Sequence, residues 1–77
     1  MKMIGYILIS LKEGDEQDVM STLAEYDWVN ESHILFGEWD IIAKVEVSNP
    51  EELATLVMDK IRTISQVKVS STLIVAK

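Results

Sequence analysis

The residues best suited to chemistry are consecutive: Gly37, Glu38, Trp39 and Asp40. In a short connection, glycine exposes backbone N–H groups, the indole offers a flat apolar wall and the carboxylate supplies an anion. Such a tip could bind a small zwitterion. A structural interpretation is equally open, in which Gly37 supplies a positive φ, Trp39 packs on the domain or on a neighbouring subunit, and Asp40 bonds its own turn.

A second candidate is the hydroxyl run Ser70, Ser71 and Thr72. In an extended strand, Ser70 and Thr72 project to one side and Ser71 to the other. The hydroxyls on one side could receive a ligand carboxylate. Serine and threonine also occur on half-exposed strands without a function, and the residues alone slightly favour that interpretation.

Catalytic and metal chemistry have little support. His33 is the one histidine, the chain has no cysteine, and no H-x-x-x-H or G-x-S-x-G spacing occurs. We predict that His33 is a strand histidine with a structural hydrogen bond. An acidic group lacks the calcium-loop pattern and suits the first turn of a helix: Glu13, Asp15, Glu16 and Asp18. We therefore expect no catalytic residue, no metal and no cofactor.

Hydrophobic periodicity predicts the elements that position these groups. Strands are expected at residues 3–11, 29–36, 41–47 and 67–76, with helices at about 15–26, capped by Asp15, and from Pro50, capped by Asn49. The order β, α, β, β, α, β is typical of ferredoxin-like domains. We predict an α+β fold, with a four-stranded antiparallel sheet and two helices on one face.

The other face of this sheet has no helix to cover it. Alternation assigns to it apolar side chains from several strands: Tyr6, Leu8, Ile42, Ile74 and either Ile34 or Phe36. In the last strand, the opposite side is assigned a different set: Val67, Val69, Leu73 and Val75. A large contiguous apolar surface is unfavourable in water, and a chain of 77 residues is marginally stable alone. We expect a dimer that packs sheet against sheet, an α/β sandwich with Tyr6, Leu8, Ile34, Ile42 and Ile74 at its interface.

Composition narrows the class of protein. The chain is 48% hydrophobic and 26% charged, which is ordinary for a folded domain, so we expect one domain over residues 1–77. Its apolar runs are too short to cross a bilayer, and no leader-like segment is present, so a cytoplasmic protein is expected. The net charge is −6 and the seven basic residues are scattered. Direct binding to nucleic acid is therefore not expected.

Two segments carry a family resemblance: VNESHILFGEWD at residues 29–40 and VKVSSTLIV at residues 67–75. They resemble the ligand-binding (RAM) domain of the Lrp/AsnC transcriptional regulators. The resemblance implies dimerisation through sheets, assembly of dimers into rings, and effectors, usually amino acids, in clefts between dimers. It assigns Gly37, Glu38, Trp39 and Asp40 to the effector site, with Asp40 facing an ammonium group. Ser70 and Thr72 would help to hold a carboxylate.

The resemblance also has departures. Phe36 stands where the family often has threonine or serine, and the chain begins at the first strand of the ligand domain, without the helix-turn-helix half of full-length members. It thus resembles a stand-alone form that binds an effector, or co-assembles with full-length regulators, without binding DNA itself. One alternative is a small dimeric ferredoxin-like monooxygenase that uses His33 or Trp39 near a cavity between sheet and helices. Another is an interaction module whose ligand site has decayed.

Overall fold

The strands and helices follow the predicted order. A computed structural model describes residues 2–13 and 16–76. Its elements are β1 (Met3–Leu11), α1 (Glu16–Ala24), β2 (Val29–Ile34), β3 (Ile41–Val47), α2 (Pro50–Leu56), a π-helical segment (Val57–Ile61) and β4 (Val67–Ile74). The sheet has the order β2-β3-β1-β4, and each neighbouring pair is antiparallel. The ferredoxin-like α+β prediction is confirmed.

The core lies between one face of this sheet and the helices. Its most deeply buried strand members are Ile7 and Ile9 of β1 and the alternate residues of β3, and its helical members include Leu23, Leu53 and Ile61, all with at most 1% of their surface exposed. No buried polar or charged side chain occurs among the described residues. The core is therefore held by apolar packing alone.

The start of α2 is capped as predicted. Asn49 Oδ1 accepts a hydrogen bond from the Glu52 backbone N–H at 2.7 Å, and Glu52 Oε1 accepts one from the Ser48 N–H at 2.8 Å. Pro50 occupies the first turn. The predicted cap of the first helix, Asp15, lies outside the described residues.

The helix that follows Asn49 does not stay α-helical. Over Val57–Ile61 it widens into a π-helical segment, which closes with a hydrogen bond from the Arg62 N–H to the Val57 carbonyl at 2.9 Å. Such a segment rotates the residues after it relative to a regular helix. It sets where Arg62 emerges beside β4.

A bulge in β2 reverses the alternation of that strand. Val29 and Glu31 lie opposite consecutive residues of β3, so Asn30 is an extra residue. Ile34 consequently lies opposite Ile41, whose side chain is in the core. The prediction that Ile34 lies on the uncovered face is wrong, because one inserted residue moves every later side chain to the other side.

A second bulge has the same effect in β4. Val67 and Val69 lie opposite consecutive residues of β1, so Lys68 is extra. Val67 is buried in the core, whereas Val69 lies on the uncovered face. Ile74 lies opposite Gly5, on the helix side. The predicted placement of Ile74 on the uncovered face is wrong, and so is the grouping of Val67 with Val69 and Leu73.

The uncovered face of the sheet, here called the open face, is apolar at its centre. Leu8 of β1 lies between Ile42 of β3 and Ser71 of β4. Tyr6 of β1 lies opposite Leu73 of β4. Tyr6, Leu8 and Ile42 are half-buried, as their neighbours in the sheet shield them, while Val69 and Leu73 are 49% and 52% exposed. No described helix is long and apolar enough to span a membrane.

Candidate functional site

The hairpin tip between β2 and β3 is open and partly apolar. Gly37 has a φ of +130°, as the structural interpretation of the tip expects, and a Cβ added there would meet nothing within 4 Å. Phe36 is fully exposed and Glu38 is exposed, whereas Trp39 is half-buried. The tip thus presents a glycine backbone, an aromatic ring and a carboxylate beside unoccupied space.

Asp40 is held in place by β1. Its Oδ2 accepts a hydrogen bond from the Leu11 N–H at 2.7 Å, and its own N–H donates to the Ile9 carbonyl at 2.9 Å. The side chain therefore bonds the neighbouring strand and not its own turn. One carboxylate oxygen has a fixed partner, and a ligand ammonium group would have to share this carboxylate with the Leu11 N–H.

Ser70 and Thr72 are not part of the same site within one chain. Both lie on the helix side of β4, since they pair with Ile9 and Ile7 of β1. The sheet order puts β1 between β4 and the hairpin, so Ser70 and the tip are separated by two strand spacings, about 10 Å. Within one protomer, β1 and the buried side chain of Ile9 lie between Ser70 and the hairpin.

Ser70 and Thr72 instead lie beside cations and an apolar groove. Ser70 Oγ accepts a hydrogen bond from Arg62 Nε at 3.4 Å, and with Arg62 and Lys68 it lines a cavity of about 270 Å³. Thr72 lines an adjoining cavity of about 370 Å³ with apolar side chains that include Met58 and Ile74, and Arg62 lines this one too. Arg62 and Lys68 were missed because the bulge and the π-helical segment that bring them to Ser70 leave no local signature in the sequence.

A further cavity, of about 340 Å³, lies at the other end of the sheet. Its lining includes Trp28, which stacks on Tyr26 with ring centroids 5.0 Å apart, and Asn30, which donates a hydrogen bond to Glu46 at 3.2 Å. None of the residues singled out from the sequence lines it.

His33 lies opposite Ile42, on the open face, with 63% of its side chain exposed and Nε2 4.0 Å from a Glu31 carboxylate oxygen. The hypothesis of an enzyme with His33 beside a cavity between sheet and helices is wrong, because the helices cover the other face. Among residues 2–13 and 16–76, no group of three or more acidic or histidine side chains is arranged to hold a metal ion.

Comparison with known proteins agrees with the fold and the motifs. The family described as the Lrp/AsnC ligand binding domain matches residues 4–77. The chain belongs to this family. Among curated relatives of this Lrp/AsnC domain, the HTH-type transcriptional regulator FL11 of Pyrococcus abyssi is 35% identical over 75 residues, which make up 97% of the chain and 49% of FL11. The chain spans between 39% and 49% of the length of the curated relatives it matches.

Solved structures give the same result. The crystal structure of FFRP-DM1 has a TM-score of 0.89 and 32% identity, covering 95% of this Lrp/AsnC domain and 97% of that chain. A transcriptional regulator of Neisseria meningitidis, solved as a complex with L-Met, has a TM-score of 0.89 at 17% identity, covering 97% of the domain and 50% of the regulator. At that identity the likeness concerns the fold. The family and the curated relatives are transcriptional regulators and not enzymes.

Proposed function

We propose that this Lrp/AsnC domain binds an amino-acid effector at its hairpin tip and modulates transcription through that binding and through assembly. The observation that carries the proposal is the tip itself. Gly37 has open space around it, Trp39 supplies a wall, and Asp40 is preorganised by its bond to Leu11. An anion that is already fixed loses little conformational freedom when an ammonium group binds.

The effector site is completed by a second protomer. Ser70 is about 10 Å from the tip of its own chain, on the far side of β1, and Thr72 lies further along β4 from the tip. For these hydroxyls to hold the carboxylate of the amino acid bound at Asp40, they must belong to a neighbouring copy. Effector binding and assembly are then coupled, because each ligand joins two chains.

Assembly begins with a homodimer through the open face. Tyr6, Leu8 and Ile42 form its apolar centre, and Val69 and Leu73 extend it toward β4. Burying these exposed β4 side chains against a second sheet would remove their apolar surface from water. Dimers then associate into a ring, which brings the tip of one dimer near the β4 edge of the next.

The domain affects transcription by co-assembling with full-length regulators. The chain matches about half of regulators such as FL11, so the same surfaces are available to both. Contact with DNA would come from the partner, because this chain has a net charge of −6. The L-Met complex of the Neisseria regulator supports amino acids as the ligand class.

Three measurements test the proposal. In a thermal-shift screen with each of the twenty amino acids at millimolar concentration, at least one amino acid should raise the Tm. If none of them does, the proposal that the domain binds an amino acid is overturned. Size-exclusion chromatography with light scattering at micromolar protein should give a dimer or a larger species. A stable monomer would overturn the assembly half. Capture of a full-length regulator without amino-acid binding would favour the interaction-module alternative.

A further inference from the structure

The β4 edge carries a concentration of positive charge that the proposed function does not use. The chain has seven basic residues against thirteen acidic ones, yet Arg62 and Lys68 line the same cavity. In the described part of the chain, the ion pair within 4.0 Å joins His33 and Glu31, so neither Arg62 nor Lys68 has a carboxylate partner there. Two unpaired cations that share a concave surface attract an anion.

The groups around this cavity match an organic carboxylate. Arg62 uses Nε to hold Ser70, so both terminal nitrogens of the guanidinium remain available as a fork for two carboxylate oxygens. The Ser70 hydroxyl accepts from Nε and keeps its own proton to donate. Lys68, the extra residue of the β4 bulge, adds a second positive charge to the lining of the cavity.

The adjoining cavity supplies a place for an apolar chain. It is lined by Met58, 64% exposed, and Ile74, 44% exposed, together with Thr72. Arg62 lines both cavities, and Ser70 and Thr72 are on the same side of β4, about 6.6 Å apart along the strand. A charged head beside Ser70 and an apolar tail beside Met58 therefore fit one molecule of five or six carbons.

The charge of the residues that line the two cavities also indicates that the ligand has no ammonium group. None of the described residues that line either cavity is an aspartate or a glutamate. Asp59 follows Met58 in the chain but lines neither cavity. An α-ammonium group would thus meet two cations with no anion to offset them, which disfavours an amino acid relative to its 2-oxo counterpart. The oxo oxygen can instead accept a hydrogen bond from Ser70 or Lys68.

We propose that the groove between the π-helical segment and β4 binds a 2-oxo acid with an apolar side chain, its carboxylate on Arg62, Lys68 and Ser70 and its tail against Met58 and Ile74. This site goes beyond the proposed function. It shares Ser70 with the amino-acid site, but Arg62, Lys68, Met58 and Ile74 have no role there, and every residue of the groove belongs to one chain. It makes the domain responsive to the deaminated form of an apolar amino acid.

The experiment is a titration of the ¹⁵N-labelled protein with sodium 4-methyl-2-oxopentanoate at low ionic strength, followed by amide chemical shifts. The largest shifts are expected at residues 62 and 68–72, with weaker binding at high salt. L-leucine, which has the same side chain, should not perturb the amides of residues 62 and 68, which the proposed amino-acid site does not include. Shifts confined to the hairpin tip, or equal shifts at residues 62 and 68 with L-leucine, would overturn the proposal.

Three variants separate the contributions of the charged and the apolar side chains to binding of the 2-oxo acid. Arg62→Gln should weaken binding of the 2-oxo acid at least about tenfold, the effect of losing a charged hydrogen bond. Lys2→Gln is the matched control, since it removes the same charge from a residue that lines neither cavity and should leave binding unchanged. Met58→Ser should weaken binding of 4-methyl-2-oxopentanoate but not of pyruvate, which has no apolar tail. Equal binding by Arg62→Gln and the unmodified protein, with native amide spectra for both, would overturn the assignment.

The tip and the groove are tested independently. Asp40→Asn should weaken amino-acid binding at the tip and leave 2-oxo acid binding intact, whereas Arg62→Gln should weaken binding of the 2-oxo acid at least about tenfold. Loss of 2-oxo acid binding in Asp40→Asn would contradict the separate site. Failure of every amino acid to bind would overturn only the proposed function.

Discussion

The carboxylate of Asp40 accepts a hydrogen bond from the backbone N–H of Leu11 at 2.7 Å, at the point where β1 and β3 stop pairing through their backbones. The bond ties the hairpin tip to a central strand of the sheet. Asp40 therefore has a structural role whether or not its charge binds a ligand, and the two roles need different substitutions to separate them.

Asp40→Asn keeps an oxygen that can accept from Leu11 but removes the negative charge. We expect stability and oligomeric state to stay nearly unchanged, while amino-acid affinity falls by about 1.5 to 3 kcal/mol, the range for a charged hydrogen bond. Calorimetry with whichever amino acid stabilises the unmodified protein measures the affinity. Unchanged affinity would refute the role of Asp40 as an ammonium partner.

Asp40→Ala removes the acceptor as well. The half-buried Leu11 N–H loses its partner, so the free energy of unfolding should fall by about 1 to 2 kcal/mol relative to Asp40→Asn. Urea denaturation followed by circular dichroism compares the two variants. Equal stability of the alanine and asparagine variants would mean that the bond to Leu11 contributes nothing measurable.

Leu73 and Ile74 are consecutive, similarly exposed and on opposite sides of β4. Leu73→Glu introduces a charge into the open face, so the dimer should dissociate at least about tenfold more readily. Ile74→Glu is the matched control and should remain dimeric, because its side chain faces the helix side. Light scattering across a concentration series distinguishes the two. A dimer weakened by Ile74→Glu and not by Leu73→Glu would contradict the proposed interface.

Gly37 has a backbone conformation that other residues seldom adopt, although space around it is free. Gly37→Ala should lower the free energy of unfolding by about 1 to 2 kcal/mol through backbone strain alone. The exposed neighbour Glu38 supplies the control, since Glu38→Ala should change stability by less than about 0.5 kcal/mol. Thermal melts of the two variants and of the unmodified protein test this difference in stability. Equal Tm values would show that the tip accommodates alanine at position 37 without loss of stability.

Gly5 is required for a different reason, the closeness of its neighbours. A Cβ at this position would lie 2.9 Å from Leu53 Cδ2 and 3.0 Å from the Leu73 carbonyl oxygen. The leucine side chain can move, but the strand oxygen cannot do so without disturbing the β1–β4 pairing. Gly5→Ala should therefore destabilise the fold by about 1 to 3 kcal/mol. A denaturation midpoint equal to that of the unmodified protein would contradict this packing.

Much of the architecture was predictable because its signals are local. The β1 and β3 strands begin and end at the predicted residues, and the Asn49 cap and Pro50 start α2 as expected. The motif around residues 37–40 pointed to the right hairpin and to the family. The predicted face of the sheet was wrong for Ile34 and Ile74, because it depends on bulges at Asn30 and Lys68.

The sequence by itself determined the order of the elements, the apolar pattern of the two central strands and the membership of the Lrp/AsnC family. These depend on periodicity, caps and turn residues, which act over a few positions along the chain. Tertiary structure alone decided on which face of the sheet the side chains of the edge strands β2 and β4 lie. It also decided that Asp40 forms a hydrogen bond with Leu11 and that Arg62 and Lys68 lie beside Ser70. A bulge is a mismatch between two paired strands, so no single segment encodes it, and one extra residue reverses the face of every side chain beyond it.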